Sequence, residues 1–258
     1  MPLTIVACVK QVPDSWAEKR LLDIDSTLDR ESADPVLNEL DEYAVEEALR
    51  IVETQGGEVT ILSVGPDAAA DSVRKAISMG ANSGILVSDA AIHGSDALAT
   101  SLVLAKALEG RGFDLIMFGC ESTDARMSVV PAMVAARLGL PQMTFAAKVE
   151  VASGSVTINR VTDTGYDEVS ASLPAVVSVV EKINEPRYPS FKGIMAAKKK
   201  TIGTKSLADL GIGLEQVKAW SEVSNVTVLP PRSKGLKIED SGDAGNKLAD
   251  FLAEKKLI

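Results

Sequence analysis

Short apolar runs alternate with amphipathic stretches along the first half of the chain. Runs such as "LTIVACV" and "EVTILSVG" are rich in β-branched residues, which is typical of strands buried on both faces. Between them, "NELDEYAVEEALRIVETQGG" spaces its apolar residues by three and four and ends in two glycines, which predicts a helix. The alternation predicts an α/β fold with a doubly wound, mostly parallel sheet. The four predicted strands are residues 3–9, 58–65, 83–89 and 113–119.

The pattern changes after Pro141. Several strand-like runs follow one another there without a helix between them, and "ASGS" at 152–155 is typical of a hairpin turn. We therefore predict an antiparallel extension of the sheet. Residues 10–37 are polar and lack a sustained period, so they predict a long loop with a functional or packing role.

The last third of the chain is predicted to hold little regular structure. Residues 183–200 predict a loop and then a short helix, and "SLADLGIGLEQV" predicts one short helix. A proline-punctuated extended arm follows. The final stretch is amphipathic and predicts a terminal helix with an apolar stripe, formed by Leu248, Phe251, Leu252 and Leu257.

Composition and charge exclude several classes of protein. The chain has 258 residues, 46% of them hydrophobic, and a net charge of −9, which disfavours a nucleic-acid binder. No run of about 18 apolar residues exists and the N-terminus lacks signal-peptide features, so we expect a cytoplasmic protein without membrane insertion. Cys8 and Cys120 are too few for a disulfide framework. With His93 as the one histidine, no His-based metal site is predicted, and a Ser-His-Asp triad is excluded unless His93 is its member.

Polar residues follow the fourth predicted strand and suggest a ligand site. Ligands bind beyond the carboxyl ends of strands in doubly wound sheets, and "GCESTD" stands at such an end. Gly65 and Gly119 would let a ligand approach the backbone, and a helix start after Asp124 would suit a phosphate. The alternative interpretation is that Ser122 and Thr123 cap that helix. The phosphate-binding glycine motifs are absent and no nucleophile–base pair stands out, which favours binding of a small anionic or nucleotide ligand over catalysis.

Several stretches, taken in order and spacing, resemble the β subunit of electron transfer flavoprotein over nearly the whole chain. The most specific is "NEPRYPSFKGIMAAKKK", and "STD…VVPA" resembles the actinobacterial branch. The other stretches that carry the resemblance are "VACVKQVPD", "NELDEYAVEEALR", "VGP", "VRKAISMGA", "GCESTD", "GLPQ" and "LPAVVSV".

The resemblance implies a Rossmann-like, adenine-nucleotide-binding fold and an electron carrier without substrate turnover of its own. Such β subunits form a heterodimer with an α subunit, and the redox FAD lies at or near the interface with that subunit. The heterodimer accepts electrons from acyl-CoA dehydrogenases and other flavin dehydrogenases, as in fatty acid β-oxidation. It passes them to a quinone oxidoreductase or the respiratory chain. The β subunit of the common type holds a structural AMP.

Carried over position by position, the resemblance places the cofactor-binding residues at three strand ends and at the start of the first helix. They are Cys8, Asn38, Leu40, Asp41, Val64, Gly119, Cys120, Glu121, Ser122, Thr123, Asp124, Ala125, Arg126, Met127, Ser128, Val129 and Val130. The strand-end argument reaches Cys8, Val64 and the 119–126 turn independently. No catalytic residue is implied.

The family's partner-recognition loop maps to residues 183–200. Its apolar anchor, often Leu, is Phe191 here, and "PSFKG" predicts that this ring is exposed. Charged residues flank the anchor and would support docking. The implied partner-binding residues are Arg187, Tyr188, Phe191, Ile194, Met195, Lys198, Lys199 and Lys200. We accordingly predict a nucleotide-binding domain over 1–200, and an arm and helix over 201–258 that pack on the partner subunit.

Two departures from the family pattern bear on the cofactor. Bifurcating members, which like the nitrogen-fixation-linked ones hold a second FAD in place of AMP, carry Asp-x-Asp-Thr-Ala-Gln-Val-Gly-Pro from the position of Asp124 onwards. Here the second Asp is Arg126 and the Gln is Val129. Fewer polar groups remain for a flavin, and Arg126 suits a phosphate, so AMP is favoured and a second FAD is the alternative. Val161 stands where many relatives place Glu, which puts in doubt any contact of that Glu towards the α-subunit flavin.

Overall fold

The computed structural model describes residues 2–258 apart from 228, 236 and 238. The chain divides into two compact units, one ending at Glu222 and the other beginning at Val223. The second unit contains the terminal helix α6 (Ala244–Glu254), as predicted. Residues 228, 236 and 238 of the predicted extended arm lie outside the described residues. The arm's other residues up to 240 form no helix or strand.

Eleven strands, numbered in chain order, lie among the described residues of the first unit. They are β1 (Leu3–Cys8), β2 (Gln11–Pro13), β3 (Pro35–Leu37), β4 (Gly57–Val64), β5 (Ser83–Val87), β6 (Leu115–Gly119), β7 (Gln142–Ala152), β8 (Ser155–Thr162), β9 (Gly165–Ser172), β10 (Ala175–Val179) and β11 (Ile202–Lys205).

One nine-stranded sheet has the order β11-β5-β4-β1-β6-β10-β7-β8-β9. The strands from β11 to β7 pair in parallel, whereas β8 and β9 continue the sheet antiparallel. This confirms the predicted α/β class, the mostly parallel sheet and the antiparallel extension. The turn between β7 and β8 lies where "ASGS" predicted it.

Four helices cover the parallel part of the sheet, and a fifth packs on the second of them. They are α1 (Glu39–Gln55), α2 (Ala70–Met79), α3 (Ala97–Leu108), α4 (Val130–Leu138) and α5 (Phe191–Lys199). Alternate residues of β1 enter different cores. Ile5 packs in a cluster with Val45 of α1, while Val6 packs in a second cluster with Leu104 of α3. Both faces of the strand are buried, which is why its sequence is apolar without alternation.

Four sequence-based predictions differ from the structure. The predicted loop 10–37 contains β2 and β3, which pair antiparallel as a second small sheet. The strand β11 was not predicted, and it pairs in parallel with β5 at one edge of the large sheet. The one helix predicted in 206–217 is two 3₁₀ turns, Ala208–Leu210 and Leu214–Val217. The helix predicted after Asp124, from the stretch that starts at Met127, begins only at Val130.

Candidate functional site

The carboxyl ends of three adjacent strands meet where the sequence predicted a ligand site. β4, β1 and β6 are neighbours and parallel, so Val64, Cys8 and Gly119 end at the same edge of the sheet. The start of α1 lies against this edge, because the Asp41 carboxylate accepts from Gly119 N at 3.2 Å. The fold therefore brings together strand ends and a helix start that lie far apart in the sequence.

Asn38 joins α1 to the turn that follows β6. Its Nδ2 donates to the carbonyl of Glu121 at 2.9 Å, and its Oδ1 accepts from Thr123 N at 3.1 Å. Asn38 is fully buried, so these two hydrogen bonds, and not water, satisfy its side-chain amide and the backbone groups of the turn. We define the site turn as residues 119–130, the range that the sequence predicted to bind the cofactor.

The packing of the chain leaves no room for a side chain at Gly119. A Cβ built at this position would lie 2.6 Å from the Leu40 carbonyl carbon and 2.6 Å from the Asp41 Oδ1. The space that the sequence argument assigned to an approaching ligand is therefore occupied by the start of α1. Gly65 is likewise close to the chain, with 3.0 Å between a built Cβ and the Cβ of Ala69.

The site turn is an irregular loop and not a capped helix start. The N-cap of α4 is Val129, which makes no side-chain cap bond, so the interpretation of Ser122 and Thr123 as caps is wrong. Arg126 and Ser128 have left-handed φ values of 50° and 56°, an uncommon conformation for residues other than glycine. Such backbone conformations are concentrated at ligand and active sites.

A basic cluster surrounds the buried carboxylate of Asp124. Lys10 Nζ lies 2.9 Å and Arg30 Nη2 lies 2.8 Å from its oxygens, and its side chain is 1% exposed. Lys19 Nζ donates to the Thr123 carbonyl at 3.1 Å. Two cations thus pair with this carboxylate and a third binds the adjacent main chain, a local excess of positive charge that suits a phosphate. The sequence argument did not include these cations in the site, although the length of the predicted loop 10–37 indicated a role for that segment.

Asp124 has an altered ionisation. Burial by itself raises the pKa of the Asp124 carboxyl, but the charge of Lys10 and hydrogen bonds from Lys10, Ser122 and Arg30 outweigh it and lower the pKa to about 2. Its carboxylate is therefore ionised throughout the neutral range.

Asp124→Asn is expected to lower the free energy of unfolding by about 2 kcal/mol at pH 7, since the carboxyl pKa is about 2 in the fold against 3.8 as its ordinary value. This stabilisation is present above pH 4 and is lost as pH falls towards 2. Urea unfolding at pH 7, 4 and 3 should show the difference between wild type and variant shrinking at acid pH. Asp163→Asn, in the exposed turn between β8 and β9, is the control; a constant difference for Asp124→Asn would contradict the ion-pair account.

Two buried hydroxyls at the site have no hydrogen-bond partner among the described residues. They are Ser63 Oγ, one residue before the end of β4, and Thr123 Oγ1 in the site turn. A buried hydroxyl is normally satisfied, so such atoms indicate a missing polar partner. Both fit a ligand that carries hydrogen-bonding atoms, such as a nucleotide.

Burial raises the pKa of both cysteine thiols at the site. Burial, followed by the charge of Asp41, raises the pKa of the Cys8 thiol well above its ordinary value. Burial and the nearby Glu121 raise the pKa of Cys120 to about 11. Both thiols are therefore protonated at neutral pH. His93 lies elsewhere, with its Nε2 2.9 Å from Asp25.

Comparison with known proteins identifies the family. The sequence model described as the electron transfer flavoprotein domain matches residues 25–210. The electron transfer flavoprotein subunit beta of Mycobacterium leprae is 48% identical over 263 residues, covering 98% of this chain and 99% of the relative. That of Mycobacterium tuberculosis H37Rv is 47% identical over the same shares, and that of Megasphaera elsdenii is 34% identical over 98% and 97%.

The chain belongs to the electron transfer flavoprotein β-subunit family. The resemblance is confirmed, including its likeness to the actinobacterial branch. Membership implies an electron-transfer role in a flavoprotein with an α-subunit partner. None of the helices among the described residues has the length and apolar character of a membrane span. The same residues form no group of three or more side chains that could hold a metal ion.

The segment that the resemblance assigned to partner recognition presents an apolar surface. Tyr188 is 94% and Phe191 is 79% exposed, which confirms the predicted exposure of that ring. Ile194 and Met195 of α5 are also exposed, as are Lys198 and Lys199. We define the docking segment as residues 183–200. Two of its predicted partner contacts, Arg187 and Lys200, bond to other parts of the chain.

Proposed function

We propose that this β subunit holds a structural AMP at the site turn and forms an electron-carrying heterodimer with the α subunit. The observation that carries the proposal is the orphaned Thr123 hydroxyl inside a turn where Lys10, Lys19 and Arg30 leave an excess of positive charge. A buried hydrogen-bond donor and a cluster of positively charged side chains are the two features that the binding of a nucleoside monophosphate needs.

The residues of the chain would act by binding and positioning. Asn38 and Asp41 hold the turn against α1, and Lys10 keeps Asp124 ionised beside it. Arg126 is exposed, and its side chain makes no hydrogen bond among the described residues, so it is free to meet a phosphate. FAD, bound at or near the interface with the α subunit, would supply the redox chemistry.

A second FAD in place of AMP is the alternative, as in bifurcating and nitrogen-fixation-linked members. Val129 supports AMP, because an apolar side chain stands where those members place a glutamine that could bind a flavin or pyrophosphate. Met127 is 58% exposed beside it and also offers no polar group.

The proposed electron donors are acyl-CoA dehydrogenases and other flavin dehydrogenases, which would dock on the docking segment. A quinone oxidoreductase or the respiratory chain would be the acceptor, and the subunit would turn over no substrate of its own. The apolar stripe of α6, which contains Leu248, Phe251 and Leu252, is proposed to pack on the α subunit. A cytoplasmic location stays a prediction.

Cofactor content tests this proposal directly. The chain is co-expressed with its α subunit, the purified heterodimer is denatured, and released AMP and FAD are quantified by chromatography. We expect one AMP and one FAD for each heterodimer. Two FAD and no AMP would establish the alternative and would give this subunit redox chemistry of its own.

A further inference from the structure

Arg187 lies between two carboxylates of α1. Its Nε donates to Glu46 Oε2 at 2.7 Å, and its Nη2 donates to Glu53 Oε2 at 3.0 Å. Its backbone N–H also donates to Glu46 Oε2, at 3.1 Å. The guanidinium and the main chain of one residue are thus bound to the same helix, which fixes both the side chain and the path of the docking segment.

The charges of this cluster are satisfied within the chain. The Glu46 side chain is 4% exposed and also accepts from Arg50 Nε at 2.9 Å. Hydrogen bonds and charge from Glu53 and Glu46 raise the pKa of the Arg187 guanidinium above its ordinary value. Arg187 is therefore held as an internal cation and has little free charge to offer a docking protein.

Further contacts fix the rest of the docking segment. Arg74 Nη1 of α2 donates to the Ala197 carbonyl at 2.7 Å, near the C-terminus of α5, and Lys200 Nζ donates to the Ala81 carbonyl at 2.6 Å. Gly193 approaches α2 so closely that a built Cβ would lie 2.5 Å from the Ser78 carbonyl oxygen. The docking segment is thus attached to α1 near its start. Along and just after α5, it is attached to α2 and to the residues that directly follow α2.

The exposed aromatic residues lie between these attachments. Tyr188 follows Arg187 directly, and Phe191 begins α5. A surface that is already ordered loses less conformational entropy on binding, so it binds more tightly for the same contacts. The attachments on either side therefore determine how well the exposed rings meet a partner.

We infer that Arg187 is a positioning residue: its ion pairs with Glu46 and Glu53 fix the docking segment on α1 so that Phe191 is presented to the electron donor in one orientation. This inference rests on the proposed docking of a dehydrogenase at this segment. It replaces the sequence-based hypothesis that Arg187 flanks the anchor as a charge for the partner. The two roles differ in what removal of Glu53 should do.

Three variants of the heterodimer distinguish these roles. Arg187→Ala removes the cation, Glu53→Gln leaves the cation but weakens its attachment, and Arg187→Lys keeps the charge without the planar fork that spans two carboxylates. Glu53 is 54% exposed in its side chain, so Glu53→Gln should fold even where Arg187→Ala does not. The KM for the heterodimer and the kcat are measured with a reduced acyl-CoA dehydrogenase as the donor. Hydrogen exchange of residues 183–190 is followed in the same samples.

If Arg187 positions the docking segment, the three variants should share the same defect in different degrees. Arg187→Ala should raise KM roughly tenfold with kcat nearly unchanged, and Glu53→Gln and Arg187→Lys should raise it roughly threefold. All three should speed hydrogen exchange at 183–190, and the Arg187→Ala/Glu53→Gln double variant should be no worse than Arg187→Ala. An unchanged or lower KM in Glu53→Gln, full recovery in Arg187→Lys and unaltered exchange would overturn the inference and assign Arg187 to the partner.

Phe191→Ala, measured in parallel, separates this inference from the function on which it rests. If Phe191→Ala raises KM and the Arg187 and Glu53 variants do not, the positioning role is wrong and the docking proposal stands. If Phe191→Ala also has no effect, the docking segment does not meet the donor, and the proposed function of this surface fails with the inference. FAD content and the melting temperature confirm that each variant is folded.

Discussion

Phe191→Ala should reduce the kcat/KM for reduction of the heterodimer by an acyl-CoA dehydrogenase by roughly 30-fold, the loss expected when an interface anchor worth about 2 kcal/mol is truncated. The ring is 79% exposed and begins α5, so its removal takes away contact area without opening a cavity in the chain. Stopped-flow measurement of flavin reduction at several heterodimer concentrations gives the effect.

Leu214→Ala is the matched control for this prediction. Leu214 is a comparably exposed apolar residue, at 61%, and it lies in a 3₁₀ turn outside the docking segment. Its truncation should leave the reduction rate unchanged. Equal rates for wild type and Phe191→Ala would remove the anchor role from this residue, and a similar loss in Leu214→Ala would show a general effect of apolar truncation.

Gly119→Ala should destabilise the fold by about 3 kcal/mol and empty the proposed AMP site, because the added methyl must push α1 away from the end of β6. A built Cβ lies 2.7 Å from the Leu40 carbonyl oxygen. This oxygen belongs to the backbone, so it cannot rotate away as the end of a side chain could. The hydrogen bond from Gly119 N to Asp41 would also be disturbed. The melting temperature should fall by roughly 6–12 °C for a unit of this size.

Gly112→Ala is the control for Gly119→Ala. A Cβ built on Gly112 has no atom within 4 Å, so this change should leave both the melting temperature and the cofactor content as in wild type. Released AMP is quantified in both variants. A destabilised Gly119→Ala heterodimer that keeps one AMP would exclude the site turn as its binding site, and an unchanged melting temperature would contradict the close approach of α1.

Local patterns were sufficient to predict much of the fold. The continuous apolar runs of β1, β4 and β6 predicted buried parallel strands, because burial on both faces leaves no place for polar side chains. The spacing of apolar residues predicted α1, and "ASGS" predicted the turn between β7 and β8. Cys8, Val64 and Gly119 could be grouped from sequence because parallel strands align their carboxyl ends.

Other features depended on pairings that leave no local signal. The strand β10 lies between β6 and β7 although β7, β8 and β9 come between β6 and β10 in the chain. Short segments such as β2, β3 and β11 are strands because a partner is present, and their own residues do not require it. The start of α4 was misplaced because the site turn is held by Asn38, far away in the sequence, and not by capping within the helix.

By itself, the sequence determined the family, the class of the sheet and the apolar character of the docking segment, since these follow from short motifs and local periodicity. Only the tertiary structure decided which charged side chains are paired within the chain and which remain available to a ligand or a partner. Arg30 pairs with Asp124, which is 94 positions away in the sequence, and Arg187 pairs with Glu46, which is 141 positions away. An ion pair between distant residues depends on how the elements pack, and no pattern within either segment encodes it.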